Sequence, residues 1–354
     1  MANIVVGHAT TPFATAWPWA SSSFGVKFAD PATLPTNTCR GVAYSNDSNS
    51  VALGYTSTPF ISVHPWSSSG FGMKSADPAS LPADAVIGVG FSLADDALIT
   101  SHIGSPYTTA YSMTGSTFGT KYADPASAPA NTGFDSKFSV AGTEVVITHN
   151  SSPFMTGYPW SSGYGVKFSD PATLPPNRGQ GVNWSASGDS ICIVHMSSPY
   201  MTGYPWSASG FGVKLANPAL LPSGTADDVV FTSTEESVFV AHTTANFITG
   251  MPFTDAAGFG IRYSAPASNP AGNGKGVTLT ADDEEIIIAN YTTPFVTAYP
   301  WNGLNYGTKI SNPATLPTGG AEHVSYTSGD GGGGGGGSGI MFGGGPTLRI
   351  GLGL

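Results

Sequence analysis

Apolar and polar residues alternate with a period of two along most of the chain, in short runs separated by turn-forming residues. The pattern is plain between residues 41 and 75, where 41–45, 51–55, 60–66 and 71–75 are four such runs, with Asn, Ser, Thr, Pro and Gly between them. Short alternating runs with turn clusters at close spacing are typical of β-strands. Because the many prolines exclude long helices, the pattern predicts an all-β fold.

The four-run pattern recurs seven times. A Pro followed by an aromatic residue marks the units at positions 12, 59, 106, 153, 199 and 294, and Asn246 replaces the Pro in the sixth unit. Successive marks are 47, 47, 47, 46, 47 and 48 residues apart. Each unit continues with aromatic-Gly-x-cation and then a D/N-P-A turn, for which the sixth unit has Ala265 instead of an acid or amide. A period in this range indicates a solenoid or a propeller.

Units this small cannot bury their apolar faces alone, and radial stacking solves that problem. We therefore predict one seven-bladed β-propeller of four-stranded antiparallel blades over residues 1–330. The predicted units are 3–45, 46–92, 93–139, 140–185, 186–232, 233–280 and 281–328. The chain opens at a second strand and ends the ring with an unpaired first strand at 323–328, so the N-terminal strand is expected to pair with the last C-terminal strand and close the ring.

Residues 181–189, which lead into 191–195, resemble the first two strands of a WD40 blade, and residues 41–47 do so as well. The Gly-His and Trp-Asp dipeptides of typical WD40 units are absent at the corresponding positions. The whole unit, with its Y-P-W, F-G-x-K and D-P-A sequences, is also similar to WD40-like repeat proteins of marine bacteriophages. That resemblance implies a role in the virion or in contact with the host.

Composition excludes several function classes. Charged residues are 10 % of the chain and the net charge is −10, which disfavours binding to nucleic acid or to an anionic membrane surface. No apolar run is long enough to insert into a bilayer, and the first 19 residues do not form a signal peptide. HExxH, GxSxG, Walker A and metal-spaced Cys/His motifs are missing, so the sequence predicts neither an enzyme nor a cofactor or metal site.

Three periodic series are candidates for function. Five histidines share one position, and the expected role is a hydrogen bond across the following turn rather than metal binding, since equivalent atoms on different blades do not converge. One Trp per blade could stack on sugars or pack between blades: Trp19, Trp66, Trp160, Trp206 and Trp301. A ring of cations could block strand edges or meet an acidic partner: Lys27, Lys74, Lys121, Lys167, Lys214, Arg262 and Lys309.

The C-terminal tail, residues 331–354, starts with seven consecutive glycines. It is either a flexible linker or a spacer that carries an apolar plug for a larger assembly. The apolar residues of that plug would be Ile340, Met341, Phe342, Leu348, Ile350, Leu352 and Leu354.

These patterns together predict a non-enzymatic phage virion or virion-associated protein, an appendage or adhesin that displays a rigid, multivalent propeller surface. Its expected partners are other virion proteins or a glycan or protein of the host surface, and its expected location is the virion, or otherwise the cytoplasm. The alternatives are a carbohydrate-binding propeller lectin and an intracellular WD40-like scaffold for protein interactions.

Overall fold

The computed structural model of the chain describes residues 1–328, which contain β-strands and no α-helix. The strands form seven antiparallel sheets. Six blades follow one another along the chain. Their strands are β3 (Cys39–Tyr44), β4 (Ser50–Tyr55), β5 (Ile61–Ser67), β6 (Gly70–Phe71), β7 (Val86–Phe91), β8 (Ala97–His102), β9 (Thr108–Thr114), β10 (Thr117–Lys121), β11 (Gly133–Phe138), β12 (Glu144–His149), β13 (Met155–Pro159), β14 (Gly179–Trp184), β15 (Ser190–His195), β16 (Met201–Ser207), β17 (Gly210–Phe211), β18 (Ala226–Phe231), β19 (Ser237–His242), β20 (Ile248–Thr254), β21 (Gly258–Phe259), β22 (Gly274–Leu279), β23 (Glu285–Asn290) and β24 (Val296–Pro300).

The remaining blade joins the two ends of the described chain. Its strands are β25 (Ala321–Thr327), β1 (Ala2–His8) and β2 (Ala14–Trp19), in that spatial order. β1 and β25 pair antiparallel from Asn3 opposite Thr327 to His8 opposite Ala321. The predicted closure by the N-terminal and last C-terminal strands is therefore confirmed.

The outermost segment of each blade is short. It is a strand in four blades and a single bridge in the other three, as between Trp19 and Phe24. The innermost strands β3, β7, β11, β14, β18, β22 and β25 contact one another in that order, and β25 returns to β3. The predicted fold, a closed seven-bladed propeller, is confirmed. Residues 1–328 contain no helix that could span a membrane.

The core consists of seven apolar clusters, and each lies between two neighbouring sheets or includes residues from both. The cluster around Val146 and Trp184, for example, joins β12 to β14 and β15. Fully buried tyrosines of the third strands add a second link between blades, because their hydroxyl groups donate to backbone oxygens 31 residues earlier. Tyr111 donates to Ser80 O at 2.7 Å and Tyr204 to Thr173 O at 2.8 Å. The repeated sequence thus specifies both the blades and the way they join.

Candidate active site on the propeller axis

Each innermost strand has a β-bulge near its start. The pairing of β3 with β4 passes from Cys39 directly to Gly41, for example, and the pairing of β18 with β19 passes from Ala226 to Asp228. A bulge leaves one residue unpaired and redirects its side chain. The residues in this position are Arg40, Ile87, Phe134, Gln180, Asp227, Lys275 and Glu322, and all of them line a cavity of about 260 Å³ between the innermost strands, here called the axial cavity.

The residue that directly follows the bulged one differs between blades. Four blades have Gly, because a Cβ atom on Gly88 would lie 2.7 Å from Phe134 O, on the neighbouring strand. The other three have Asp135, Asp228 and His323. Each aspartate accepts a hydrogen bond from the innermost strand of the next blade instead. The backbone N–H groups that donate are those of Val182 to Asp135 Oδ2, at 3.1 Å, and Val277 to Asp228 Oδ2, at 2.9 Å.

Asp228 and His323 meet although a whole strand, β22, lies between their own strands. The distance from His323 Nε2 to Asp228 Oδ2 is 3.8 Å. Gly276 on the intervening strand has no side chain to separate them, and a Cβ atom there would lie 3.0 Å from the Cα atom of His323. Asp228 and His323 can therefore approach each other only because the blade between them has Gly276 at this position.

The environment of this pair shifts both pKa values towards the neutral forms. Burial raises the pKa of Asp228 to about 7, against the lowering effects of Lys137 and of two backbone N–H donors. Burial, helped by Lys137, lowers the pKa of His323 to about 4. At neutral pH, His323 is therefore uncharged and Asp228 is divided between its two protonation states. His323 Nδ1 has no hydrogen-bond partner within residues 1–328.

Arg40, Arg178 and Lys275 line the same cavity as this pair. Lys275 Nζ lies 3.1 Å from Asp227 Oδ1, and Gln180 Nε2 donates to the same oxygen at 3.3 Å. The guanidinium group of Arg178 lies over the ring of Phe134, with its Cζ atom 4.7 Å from the ring centroid. Burial raises the pKa of Glu322, with Arg40 acting in the opposite direction. The axial cavity thus has carboxyl groups, a neutral imidazole and several cations close together.

Sequence reasoning missed the axial residues because it followed what the units share, whereas these residues are where the units differ. A usable signal was present in the cations. The chain has 12 Lys and Arg residues, and seven belong to the periodic series. Of the other five, Arg40, Arg178 and Lys275 line the cavity, Lys137 acts on its carboxyl groups, and Arg349 lies outside the described residues.

The structure places the tryptophan series inside the packing between blades. All five indoles are at most 8 % exposed. Each makes an edge-to-face contact with a ring of its own blade, and all but Trp19 also contact a ring of the neighbouring blade. Trp66, for example, lies 5.4 Å from Phe28 and 5.0 Å from Phe71 between ring centroids. A sugar could stack on these indoles only if the blades separated.

The structure places the periodic cations at the outer rim, where most have a partner three residues later. Lys27 and Lys74 pair with Asp30 and Asp77. Lys121 Nζ lies 2.7 Å from Asp124 Oδ1, Lys167 Nζ lies 2.6 Å from Asp170 Oδ1, and Lys214 donates to Asn217. The carboxylates neutralise four of the seven cations, which reduces the positive field that an acidic partner would meet. Arg262 and Lys309 occupy the same position in the last two units.

The periodic histidines make the expected hydrogen bond across the turn. In all five, Nε2 lies 2.9 Å from the Oγ1 atom of a Thr on the third strand. Asn290 makes the equivalent bond to Thr297 at 2.8 Å. The proposed apolar plug at residues 340–354 lies outside the described residues. Within those residues, no group of three or more His, Cys, Asp or Glu side chains is placed to hold a metal ion.

The fold and the axial cavity define a WD40-like seven-bladed propeller with a polar, charged centre. Comparison with family models found no match, and comparison with curated proteins found none either. Solved structures do match. The periplasmic gluconolactonase of Pseudomonas aeruginosa has a TM-score of 0.69 at 8 % identity, covering 93 % of this chain and 99 % of that one.

Two more structures extend the comparison. A protein of Bacteroides fragilis with a proposed assignment as a 6-phosphogluconolactonase has a TM-score of 0.70 at 8 % identity, covering 92 % of this chain and 98 % of that one. The Cps50 (Swd1) β-propeller domain of Myceliophteria thermophila has a TM-score of 0.58 at 8 % identity, covering 78 % and 88 %. At these identities the likeness shows the fold, and the resemblance to phage repeat proteins is not shown by it.

The predicted function needs correction. A non-enzymatic phage virion or adhesin protein was expected, but two of the three propellers described above, both matched over more than nine-tenths of this chain, are named as lactonases, which are enzymes. The same comparison contradicts the prediction that the chain is not an enzyme. It rested on the absence of linear motifs, which does not exclude a site to which each blade contributes a single residue or two.

Proposed function

We propose that the protein is a hydrolase that opens a sugar-derived lactone in the axial cavity. One observation carries this proposal: a carboxyl group with a pKa of about 7 and a neutral imidazole lie 3.8 Å apart in a cavity at the ring axis that cations also line. A general base is most effective when its pKa is close to the working pH. The names of the lactonases with the same fold supply the substrate class.

In this mechanism, ionised Asp228 is the general base. It takes a proton from a water molecule as the oxygen of that water forms a bond to the lactone carbonyl carbon. The negative charge then moves to the carbonyl oxygen, where preorganised positive charge stabilises it. Lys137 is the cation that lowers the pKa of Asp228, and the lining of the cavity supplies Arg40, Arg178 and Lys275.

The second half of the reaction breaks the ring C–O bond. The leaving oxygen takes back the proton that Asp228 holds, so the carboxyl group ends as it began and the product is an open-chain hydroxy acid. Neutral His323 orients the water through whichever ring nitrogen faces it, and its Nδ1 atom has no partner within the described chain. No proton or electron is left over.

The test compares the wild-type protein with Asp228→Asn on D-glucono-1,5-lactone and on its 6-phosphate, with the uncatalysed rate subtracted. Because a positioned general base typically contributes about 10²- to 10⁴-fold to the rate, kcat/KM should fall by a factor in that range. Asp30→Asn changes a carboxylate of the outer rim, 3 residues from Lys27, and is the matched control that should keep the wild-type rate. Wild-type protein that accelerates neither lactone would refute the proposal.

A further inference from the structure

A second cavity lies in the sixth unit, at the outer part of the ring and away from the axis. Its volume is about 240 Å³, and Leu220 is its only lining residue from the preceding connection. The other lining residues are Asn246, Ile248, Thr249, Gly250, Arg262, Tyr263, Ser264 and Ala265. This cavity is here called the side pocket.

Three residues of the side pocket are those at which the sixth unit departs from the repeat. Asn246 stands where the other six units have Pro, and Arg262 stands where they have Lys. Ala265 stands where they have an acid or amide: Asp30, Asp77, Asp124, Asp170, Asn217 and Asn312. The departures are in separate turns and strands of the sequence, yet the fold brings all three to one cavity.

The consequence is a cation without the carboxylate partner that four of its equivalents have. In four other blades a carboxylate three residues later pairs with the cation. Arg262 has only Leu221 O, which accepts from Nη1 at the long distance of 3.5 Å. Its remaining N–H donors make no hydrogen bond within the described residues, and a guanidinium group presents its five donors in a fork that matches a carboxylate.

We propose that the side pocket binds a small organic carboxylate, whose anionic group takes the place next to Arg262 that an aspartate occupies in the other blades. Asn246 adds an amide, able to donate and accept, where the other units have a ring without an N–H group. Leu220 and Tyr263 provide apolar surface for the rest of the ligand. The cavity is smaller than the roughly 300–1,000 Å³ typical of drug-sized ligands, which favours an acid of few carbon atoms. This site is independent of the axial one.

The test is a titration of the full chain with acetate and with succinate, followed through the Nε–H cross-peak of Arg262 in ¹H–¹⁵N NMR spectra. A saturable shift is expected, with a dissociation constant on the order of 1 mM for a single charge-assisted contact. Sodium chloride at the same ionic strength should produce no saturable shift.

Two variants separate a built site from general surface charge. Ala265→Asp restores the partner found in the other blades, so it should abolish the saturable shift while leaving the rest of the spectrum unchanged. Lys74→Gln removes a cation of the same series that already has Asp77 as its partner, so carboxylate binding at Arg262 should be unchanged. Wild-type protein that shows no saturable shift, an Ala265→Asp variant that binds equally well, or a Lys74→Gln variant that loses binding would each overturn the proposal.

Discussion

The chemistry of the axial cavity depends on single residues that break the repeat. Asp228 follows the bulged residue and is buried, so removal from water favours its neutral form, and Lys137 opposes this by favouring the charged form. The same lysine disfavours the charged form of His323. Lys137 therefore favours the ionised form of the Asp228 carboxyl group and the neutral form of the His323 imidazole. The ionised carboxylate is the form that can accept a proton as a general base.

Replacement of Lys137 with Met tests this role. Without the cation, the pKa of Asp228 should rise above its value of about 7 and that of His323 should rise above about 4, because Lys137 lowers both. Since the ionised form of Asp228 is the active one, the acidic limb of the pH profile of kcat/KM should move to higher pH. Lys27→Met, at the outer rim next to Asp30, is the control whose profile should match the wild type. A Lys137→Met profile with an unmoved acidic limb would contradict the assignment.

At the scale of the strand pair, each blade has one buried polar bond that ties its second strand to its third. His242 and Thr249 show the common form, in which Nε2 lies 2.9 Å from Oγ1. Burial lowers the pKa of His242 to about 4, so the folded state keeps this histidine neutral while the unfolded chain has a pKa of about 6.5. The unfolded state therefore binds more protons between these pH values, and stability must fall as the pH falls through this window.

The His242→Asn variant should reduce that fall. A pKa of about 4 against 6.5 corresponds to a loss of about 2 kcal/mol at pH 5 relative to pH 7 for one histidine. Urea unfolding at the two pH values should show the difference in free energy of unfolding shrinking by about that amount. Asn290 already makes the equivalent bond to Thr297, so the reciprocal change Asn290→His should steepen the dependence. Equal pH dependence in all three proteins would show that these histidines are not neutral in the fold.

Sequence and structure agree to different degrees at this scale. The strands and their number per unit follow from period-two alternation, and the hydrogen bonds of the periodic histidines follow from a residue that recurs at one position. Both can be predicted because every blade packs in the same way. The axial residues could not be found in that way. Arg40 and Asp228 are 188 positions apart in the chain, and only the closed ring brings their strands to one cavity. The pKa of Asp228 depends on burial by several blades, which no local pattern records.

At the scale of the whole molecule, the strand that closes the ring also completes the candidate site. β25 pairs with β1 and contributes Glu322 and His323 to the axial cavity. It also buries Val324, at 2 % exposure, and Tyr326, at 9 %, in the cluster shared with β1 and β23. Ring closure and the candidate site thus share one strand, whose apolar residues pack in the core while Glu322 and His323 line the axial cavity, and the two contributions can be tested separately.

A chain ending at residue 316 should lose both properties. Loss of the apolar side chains of β25 should lower the free energy of unfolding by roughly 5 kcal/mol, at about 1.5–3 kcal/mol for each large side chain buried, and should leave β1 with an unpaired edge. A synthetic peptide of residues 317–328, added in trans, should restore the thermal unfolding temperature and lactone hydrolysis together. The same peptide with His323→Asn keeps the apolar side chains that pack on β1 and β23, so it should restore the unfolding temperature while restoring much less hydrolysis. If both peptides restored hydrolysis equally, His323 would have no part in the reaction. If neither raised the unfolding temperature, the pairing of β25 with β1 would not be what holds the ring closed.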